Sequence, residues 1–418
     1  MKRLLLITYY FPPCGGAGVQ RWVRILKYLP QEGWDITVLT TKDGDYPIID
    51  DSLVDKIPDN IKIIRTTTPI FGNFYKKVTK DNQGIPYGTL NSDKHDTFLK
   101  KLLYWIRINL IIPDARFIWN KHALKEATKL LKTNPYDIVL TSSPPHSTQL
   151  IGLKLKKRFN ITWVTDFRDP WAEIYYLKLA KQNKLSHYIN RLLEKKVMKE
   201  ADLNLIVSDE IRKNFPQGNK LTFTNSYDPE DFIAHEKKRS DIFRIKYVGK
   251  ITQAQDINSI ITALNNLPQL YENTEFTFIG TYPNNPFNTK FPVVMKNYLP
   301  HSQAIQEMVN SDLLILLIND YPQNKGMLTT KLFEYLGAKV PILCIGPQDG
   351  DANAIIKECE AGVCVDYGDV ATIKKVILEY YAQWKLDKLL LCNNNKNYSI
   401  VQQITKLDQI LTKLITKS

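Results

Sequence analysis

Lys325-Gly326-Met327-Leu328-Thr329-Thr330-Lys331-Leu332-Phe333-Glu334-Tyr335-Leu336-Gly337 leads into the apolar run 340–345 and Pro347. The order reads as a loop, a helix opening near Thr329, and a short buried strand. Thr329 or Thr330 is placed to cap the helix, and the free N–H groups of a helix start favour an anion. Lys331 and Glu334 stand three residues apart and project from one side of the first turns. A cation that meets a phosphate, next to a carboxylate that accepts from a ribose diol, describes a nucleotide-sugar diphosphate better than free phosphate. The competing reading is an ordinary amphipathic helix with an exposed Lys and Glu.

Working outward, strand-like runs occur at 4–7, 35–39, 61–65, 138–141, 162–165, 203–207 and 221–224, and a second series at 245–248, 275–279, 313–317, 341–345 and 362–365. Helical patterns lie between them, at 20–29, 122–131, 185–199 and 371–378. Near-continuous apolar strands alternating with helices predict parallel sheets covered on both faces. Two series predict two doubly wound domains, joined in the polar stretch 225–238. The 418 residues suffice for two cores, and 44% apolar with 24% charged residues is ordinary for a globular chain. The Met1-Lys2-Arg3-Leu4 start is followed at once by Pro12-Pro13 and Gly15-Gly16, so it reads as a first strand and its turn rather than a signal peptide. No apolar run approaches the roughly 20 residues that span a bilayer. The five cysteines, Cys14, Cys344, Cys359, Cys364 and Cys392, have neither metal-ligand spacing nor a disulfide framework, which fits a reducing cytoplasm.

Ligands of doubly wound sheets bind beyond the carboxyl ends of the strands, so the turns there carry the functional information. Strand one runs into Tyr9-Tyr10-Phe11-Pro12-Pro13-Cys14-Gly15-Gly16-Ala17-Gly18, whose glycines allow backbone N–H groups to approach phosphate or sugar oxygens. It has neither P-loop nor dinucleotide spacing, and a tight turn without a ligand is the alternative. Two further turns, Ser142-Ser143-Pro144-Pro145-His146 and Asp166-Phe167-Arg168-Asp169-Pro170-Trp171, leave the same edge. The second places two carboxylates and a guanidinium within four residues, either facing ligand or satisfying one another. Asp43-Gly44-Asp45 and Asp349-Gly350-Asp351 superficially match a metal-binding Asp-x-Asp but read as turns, with Asp351 capping the following helix. No metal site and no cofactor are expected.

Taken in order, the Pro-Pro-x-Gly-Gly turn, Ser-Ser-Pro-Pro-His146, Arg168-Asp169 with Trp171, Asn225-Ser226-Tyr227-Asp228, Tyr247-Val248-Gly249-Lys250 and Lys331…Glu334-Tyr335 resemble the retaining, nucleotide-sugar-dependent glycosyltransferases of the GT-B architecture, family 4 group, closest to bacterial surface-polysaccharide members. The resemblance implies an α/β fold of two doubly wound Rossmann-like domains facing a central cleft. Residues 1–225 would form the acceptor-side domain, 226–390 the nucleotide-sugar domain, and 391–418 a helix crossing back to the first. It implies catalytic roles for Asp169, Arg168, Lys250 and Lys331, with Lys250 and Lys331 balancing the donor pyrophosphate. Gly15, Gly16, Gly249, Thr329, Thr330 and Glu334 would bind the donor, with His146 and Asp166 on the acceptor side. An acidic residue common in the family eight positions before the ribose-binding Glu is here Gly326, and a second Lys common after the Gly249-Lys250 turn is Gln255.

The expected partners are a nucleotide-sugar donor, a glycan or lipid-linked acceptor, and an anionic membrane surface at the cytoplasmic face. The net charge of +13 calls for polyanionic partners. From Lys76 to Lys132 there are 12 Lys/Arg against five acids, interleaved with Phe98, Leu102, Tyr104, Trp105, Ile108 and Ile112, a composition that suits an anionic interface or a solvated helix. Nucleic acid is not expected, because no recognition module accompanies the charge. A nucleotide-sugar epimerase of the same fold and a non-catalytic polyanion-binding protein are the alternatives.

Overall fold

The computed structural model describes residues 1–68, 98–238, 240–281, 289–389, 392 and 394–416. By contact density the chain divides into two compact units, Met1–Phe223 with Ile404–Ser418, and Thr224–Gln403. The expected join at 225/226 thus lies at 223/224, and the segment after residue 390 remains with the second unit as far as Gln403.

The first unit contains β1 (Lys2–Thr8), β2 (Trp34–Thr41), β3 (Lys62–Thr66), β4 (Ile138–Ser143), β5 (Thr162–Phe167), β6 (Leu203–Ile206) and β7 (Lys220–Thr222). They form one sheet in the order β3-β2-β1-β4-β5-β6-β7, parallel throughout. Its helices are α1 (Ala17–Tyr28), α2 (Phe98–Asn109), α3 (Trp119–Thr133), α4 (Gln149–Phe159), α5 (Tyr175–Leu179), α6 (Lys184–Glu200) and α7 (Asp209–Asn214). Successive residues Leu4, Leu5, Leu6 and Ile7 are all fully buried, so both faces of β1 are covered and the strand has no reason to alternate. Trp119, Trp163, Leu155 and Phe167 fill one of these faces.

The second unit contains β8 (Phe243–Val248), β9 (Thr274–Ile279), β10 (Val293–Lys296), β11 (Leu313–Leu317), β12 (Ile342–Ile345) and β13 (Gly362–Val365), parallel in the order β10-β9-β8-β11-β12-β13. Its helices are α8 (Glu230–Ile233), α9 (Ile257–Asn265), α10 (His301–Val309), α11 (Thr330–Ala338), α12 (Asp351–Glu358) and α13 (Val370–Lys385). Each predicted run has its strand within about two residues at either end. The strand the sequence does not reveal is β10, four half-buried residues that pair only with β9 at the sheet edge.

The last helix, α14 (Ile400–Ile415), opens in the second unit, where Ser399 bridges to Tyr227. In the first unit its Asp408 accepts from Trp34 Nε1 at 2.8 Å and pairs with Lys2, whose ammonium lies 4.9 Å from the Trp34 ring. In both sheets the strand order reverses beside the first strand, between β1 and β4 and between β8 and β11. Thr8 stands in register with Ser142, so the Gly15-Gly16 and Pro144-Pro145-His146 turns leave the first sheet side by side. These reversals are where a doubly wound sheet opens for a ligand.

Candidate active site

In the second unit the turn after β8 and the start of α11 meet at the reversal between β8 and β11. Gly249 has φ +138°, and a side chain there would stand 2.9 Å from Lys331 Nζ and 3.0 Å from its Cδ. Only glycine combines that backbone with that approach. Lys331 Nζ donates to the Tyr247 hydroxyl at 2.7 Å and lies 4.5 Å from the Tyr247 ring centroid. Burial pushes the Lys331 pKa down to about 8, and Glu334 pulls it back up. The ammonium is therefore charged at neutral pH but partly stripped of water. Tyr335 fixes the helix to the sheet by accepting from Val248 N at 3.1 Å.

Thr329 takes the N-cap position of α11 with an extended backbone, yet the expected cap hydrogen bond is not made. The hydroxyl oxygens of Thr329 and Thr330 are shielded from water and have no partner among the described residues. A shielded hydroxyl left unpaired is costly, so a pair of them at a helix N-terminus beside an ammonium is arranged for an acceptor. One turn along, Glu334 is 7% exposed, and its Oε1 lies 3.3 Å from His301 Nε2, which is 4.0 Å from Asp231 Oδ2. The chemistry available is a fixed cation and hydrogen-bond donors for a phosphate group, with a carboxylate beyond them for a hydroxyl pair.

In the first unit Gly16 (φ +105°) precedes α1, and its carbonyl accepts from Val19 and Gln20 N at 3.0 and 3.2 Å. The Arg168 guanidinium lies directly against Gly18, where a side chain would come within 1.4 Å of Nη1. This joins two motifs 150 residues apart in the chain. Neither Arg168 nor Asp169 makes a hydrogen bond or ion pair among the described residues, so the turn is not the self-satisfied network the sequence allowed. Burial raises the Asp169 carboxyl above its ordinary range, and Arg168 opposes the shift.

Solved structures align with the chain along its full length. Sucrose-phosphate synthase from Thermosynechococcus elongatus matches with a TM-score of 0.68 and 12% identity, all of both chains being covered. HepE from Anabaena, in complex with UDP and glucose, matches with 0.62 and 11%, covering 99% of this chain and 100% of that one. WaaG, a glycosyltransferase involved in lipopolysaccharide biosynthesis, matches with 0.57 and 15%, again covering 99% and 100%. The chain has the GT-B fold. No protein-family model matches the chain, and no curated protein matches it.

Within this GT-B fold the structure gathers Lys331, Gly249, Thr329, Thr330 and Glu334 in one unit, and sets Arg168 against the Gly15-Gly16 turn's helix in the other. Lys250 is exposed: its carbonyl accepts from the Tyr247 hydroxyl at 3.0 Å, and its ammonium has no ion-pair partner among the described residues. Asp166 is fully buried rather than facing an acceptor. Arg21 Nη2 donates to Oδ1 at 3.1 Å, and Ser142 Oγ and Trp22 Nε1 approach Oδ2 at 2.8 and 3.2 Å, tying α1, β4 and β5 together. His146 is 6% exposed and stacked on Trp171 at 5.4 Å. Burial pushes its pKa down to about 3, with the Pro170 carbonyl pulling the other way, although neither ring nitrogen has a partner at full hydrogen-bond geometry. It is neutral at pH 7 and unsuited to carry charge there.

Gln255, where the family favours a lysine, staples the β8 turn instead: Oε1 accepts from Thr252 N at 3.0 Å and Nε2 donates to the Leu317 carbonyl at 3.1 Å. Gly326 closes a buried turn after Lys325, which pairs with Asp349. Gly350, not Asp351, occupies the N-cap of α12, because the helix begins at Asp351 itself. Asp45 pairs with Arg116 at 3.0 Å. Among the described residues no group of three or more His, Cys, Asp or Glu is placed to hold a metal. Sequence reasoning passed over two residues of the cluster around Lys331 and Glu334, Tyr247 and His301. Tyr247 lies inside a quoted motif, as the penultimate residue of its strand; His301 has no sequence signal, since its tie to Glu334 is long-range.

Proposed function

We propose that the chain is a glycosyltransferase that moves a sugar from a nucleotide diphosphate sugar to a glycan or lipid-linked acceptor in cell-surface polysaccharide or glycoconjugate synthesis, at the cytoplasmic face of the membrane. The observation that carries this reading is the Lys331 ammonium, held by Tyr247 against Gly249 beside the unpartnered hydroxyls at the start of α11. Charge grows on the leaving diphosphate as the glycosidic bond breaks, and a fixed, partly desolvated cation at a helix N-terminus stabilises that charge more than it stabilises the ground state. The leaving group is thereby balanced by protein groups, so the reaction is metal-independent in this proposal. Glu334 accepts from the ribose hydroxyls once His301 gives way, and exposed Lys250 supplies a second cation at the rim. In the first unit Arg168 and Asp169, neither hydrogen-bonded nor ion-paired among the described residues, and the Gly15-Gly16 turn contact the transferred sugar or the acceptor, with His146 as packing behind them.

Support comes from neighbours of the same fold whose structures contain UDP with glucose or UDP-glucose, and from one involved in lipopolysaccharide biosynthesis. Proton NMR of the product formed from an α-configured donor in the presence of EDTA tests the mechanism. Retention with undiminished rate is expected. Inversion, or loss of activity on chelation, would overturn it. Consumption of the donor sugar with no acceptor present, yielding an epimer, would favour the epimerase.

A further inference from the structure

The first half of α6 turns polar side chains inward. Its inward face consists of Ser186, Asn190 and Glu194 with Val197 and Met198, all at most 2% exposed, whereas Leu185, Tyr188 and Leu192 stand 68%, 59% and 48% exposed. The spacing i, i+3, i+7 places those three on one stripe. An apolar stripe at helical spacing ordinarily faces the core, and here the core has been filled without it. Exposed Lys184, Lys195, Lys196 and Lys199 flank the stripe, and none of them has an ion-pair partner among the described residues.

The patch continues beyond the helix. Asn109, the last residue of α2, accepts from Asn183 N through Oδ1 at 2.7 Å and from Ser186 Oγ through its carbonyl at 2.7 Å. Trp105 (49% exposed) and Leu110 (64%) flank that joint in the chain. The inward face meanwhile grips the turn that carries Asp169: Trp171 Nε1 donates to Asn190 Oδ1 at 3.0 Å, and the Ala172 backbone donates to Glu194.

We propose that the outer face of α6, continued by Trp105 and Leu110, is an interfacial docking surface for an anionic lipid bilayer. Aromatic and aliphatic side chains among lysines of one sign match an anionic headgroup boundary, where the apolar groups enter the acyl edge and the ammonium groups meet phosphate. A second copy of the chain is the poorer occupant, because a two-fold contact would oppose the lysines to one another. No helix among the described residues is long and apolar enough to cross a membrane, so the contact is peripheral. The inference names the membrane face for the lipid-linked acceptor proposed above and rests on that reading only for its purpose. It adds α6 to the membrane contact expected of 76–132. Residues 76–97 and the Phe98 and Lys100 side chains lie outside the described residues, and Arg116 is buried against Asp45.

The test is cosedimentation of the full chain with equimolar phosphatidylglycerol/phosphatidylcholine vesicles and with phosphatidylcholine alone. Wild type should bind the former, more weakly as salt rises. Leu185→Ser/Tyr188→Ser/Leu192→Ser should lower the affinity at least about tenfold, while Lys195→Gln/Lys196→Gln/Lys199→Gln should lower it and flatten the salt dependence. Any nucleotide-induced thermal shift should be the same in all three proteins, so failure here is distinguishable from failure of the donor assignment. Should the triple variants not fold, Tyr188→Cys carrying an environment-sensitive fluorophore replaces them; the native cysteines are all buried, and a blue shift on anionic vesicles is expected. Wild-type-like binding by the triple serine variant, no binding by wild type, or a dimer that the serine variant abolishes would overturn the proposal.

Discussion

Lys331→Met removes the charge at the start of α11 while keeping most of the side-chain volume against Gly249 and Tyr247. Loss of one preorganised group that stabilises developing charge costs about 10²–10³ in rate, roughly 3–4 kcal/mol, and kcat should fall more than donor affinity because the charge is largest in the transition state. The wild-type pH profile provides an internal check. With a pKa of about 8 in the unliganded protein, the charged fraction drops about 25-fold between roughly pH 7.5 and 9.5. The kcat/KM for UDP-glucose, or for whichever donor turns over, should drop with it. Donor phosphate favours the charged form, so the kcat profile should bend at higher pH than kcat/KM. A coupled assay of nucleoside diphosphate release reads both. A variant within about threefold of wild type, or one that keeps the alkaline limb, would refute the reasoning.

Two stability predictions follow from buried charges of the first unit. Burial raises the Glu194 carboxyl from 4.5 to about 7, so the native state holds a proton that the unfolded chain releases between those values. The stability this proton confers is complete below about pH 4.5 and lost as pH rises through about 7. Relative to wild type, Glu194→Gln should therefore be near neutral at pH 4.5 and stabilising by up to about 3 kcal/mol at pH 8 in urea titrations; equal effects at both values would contradict the assignment. Arg21→Met leaves the Asp166 carboxylate, 0% exposed, without its cation, which should cost about 3–5 kcal/mol by chemical denaturation, and a loss below about 1 kcal/mol would show that Ser142 and Trp22 suffice.

The strands were legible because parallel sheets covered on both faces require unbroken apolar runs, as at 4–7 and 313–317, and few other structures use them. β10 was not, because Val293-Val294-Met295 between Pro292 and Lys296 is too short an apolar run to stand out. Gly249 and the Lys331…Glu334 spacing were legible as one cluster, since local helix geometry alone sets the second and a strand-to-helix turn the first. The partners of these groups were beyond reach. Tyr247 beneath Lys331, His301 beside Glu334 and Arg168 against Gly18 are meetings between distant segments with no periodicity to announce them. Asp166 and Asp169 illustrate the limit: three residues apart, the first lies within β5 and is enclosed with Arg21, whereas the second follows the strand and makes no hydrogen bond or ion pair among the described residues. Gln255 looks like a lost cation in sequence, whereas its hydrogen bonds to Thr252 and Leu317 make it a support of the turn.

The central claim is that α11 and the turn after β8 bind a nucleoside diphosphate, and thermal-shift titration with UDP, GDP, CDP, ADP and dTDP tests it most directly. At about 100 times its Kd, a ligand that binds only the native state adds roughly 2.7 kcal/mol. At least one diphosphate should raise the melting temperature of wild type by several degrees. The same ligand should shift Glu334→Ala and Lys331→Met much less, and the matching nucleoside should shift none of them. Absence of a shift with all five, or equal shifts in wild type and both variants, would contradict the account.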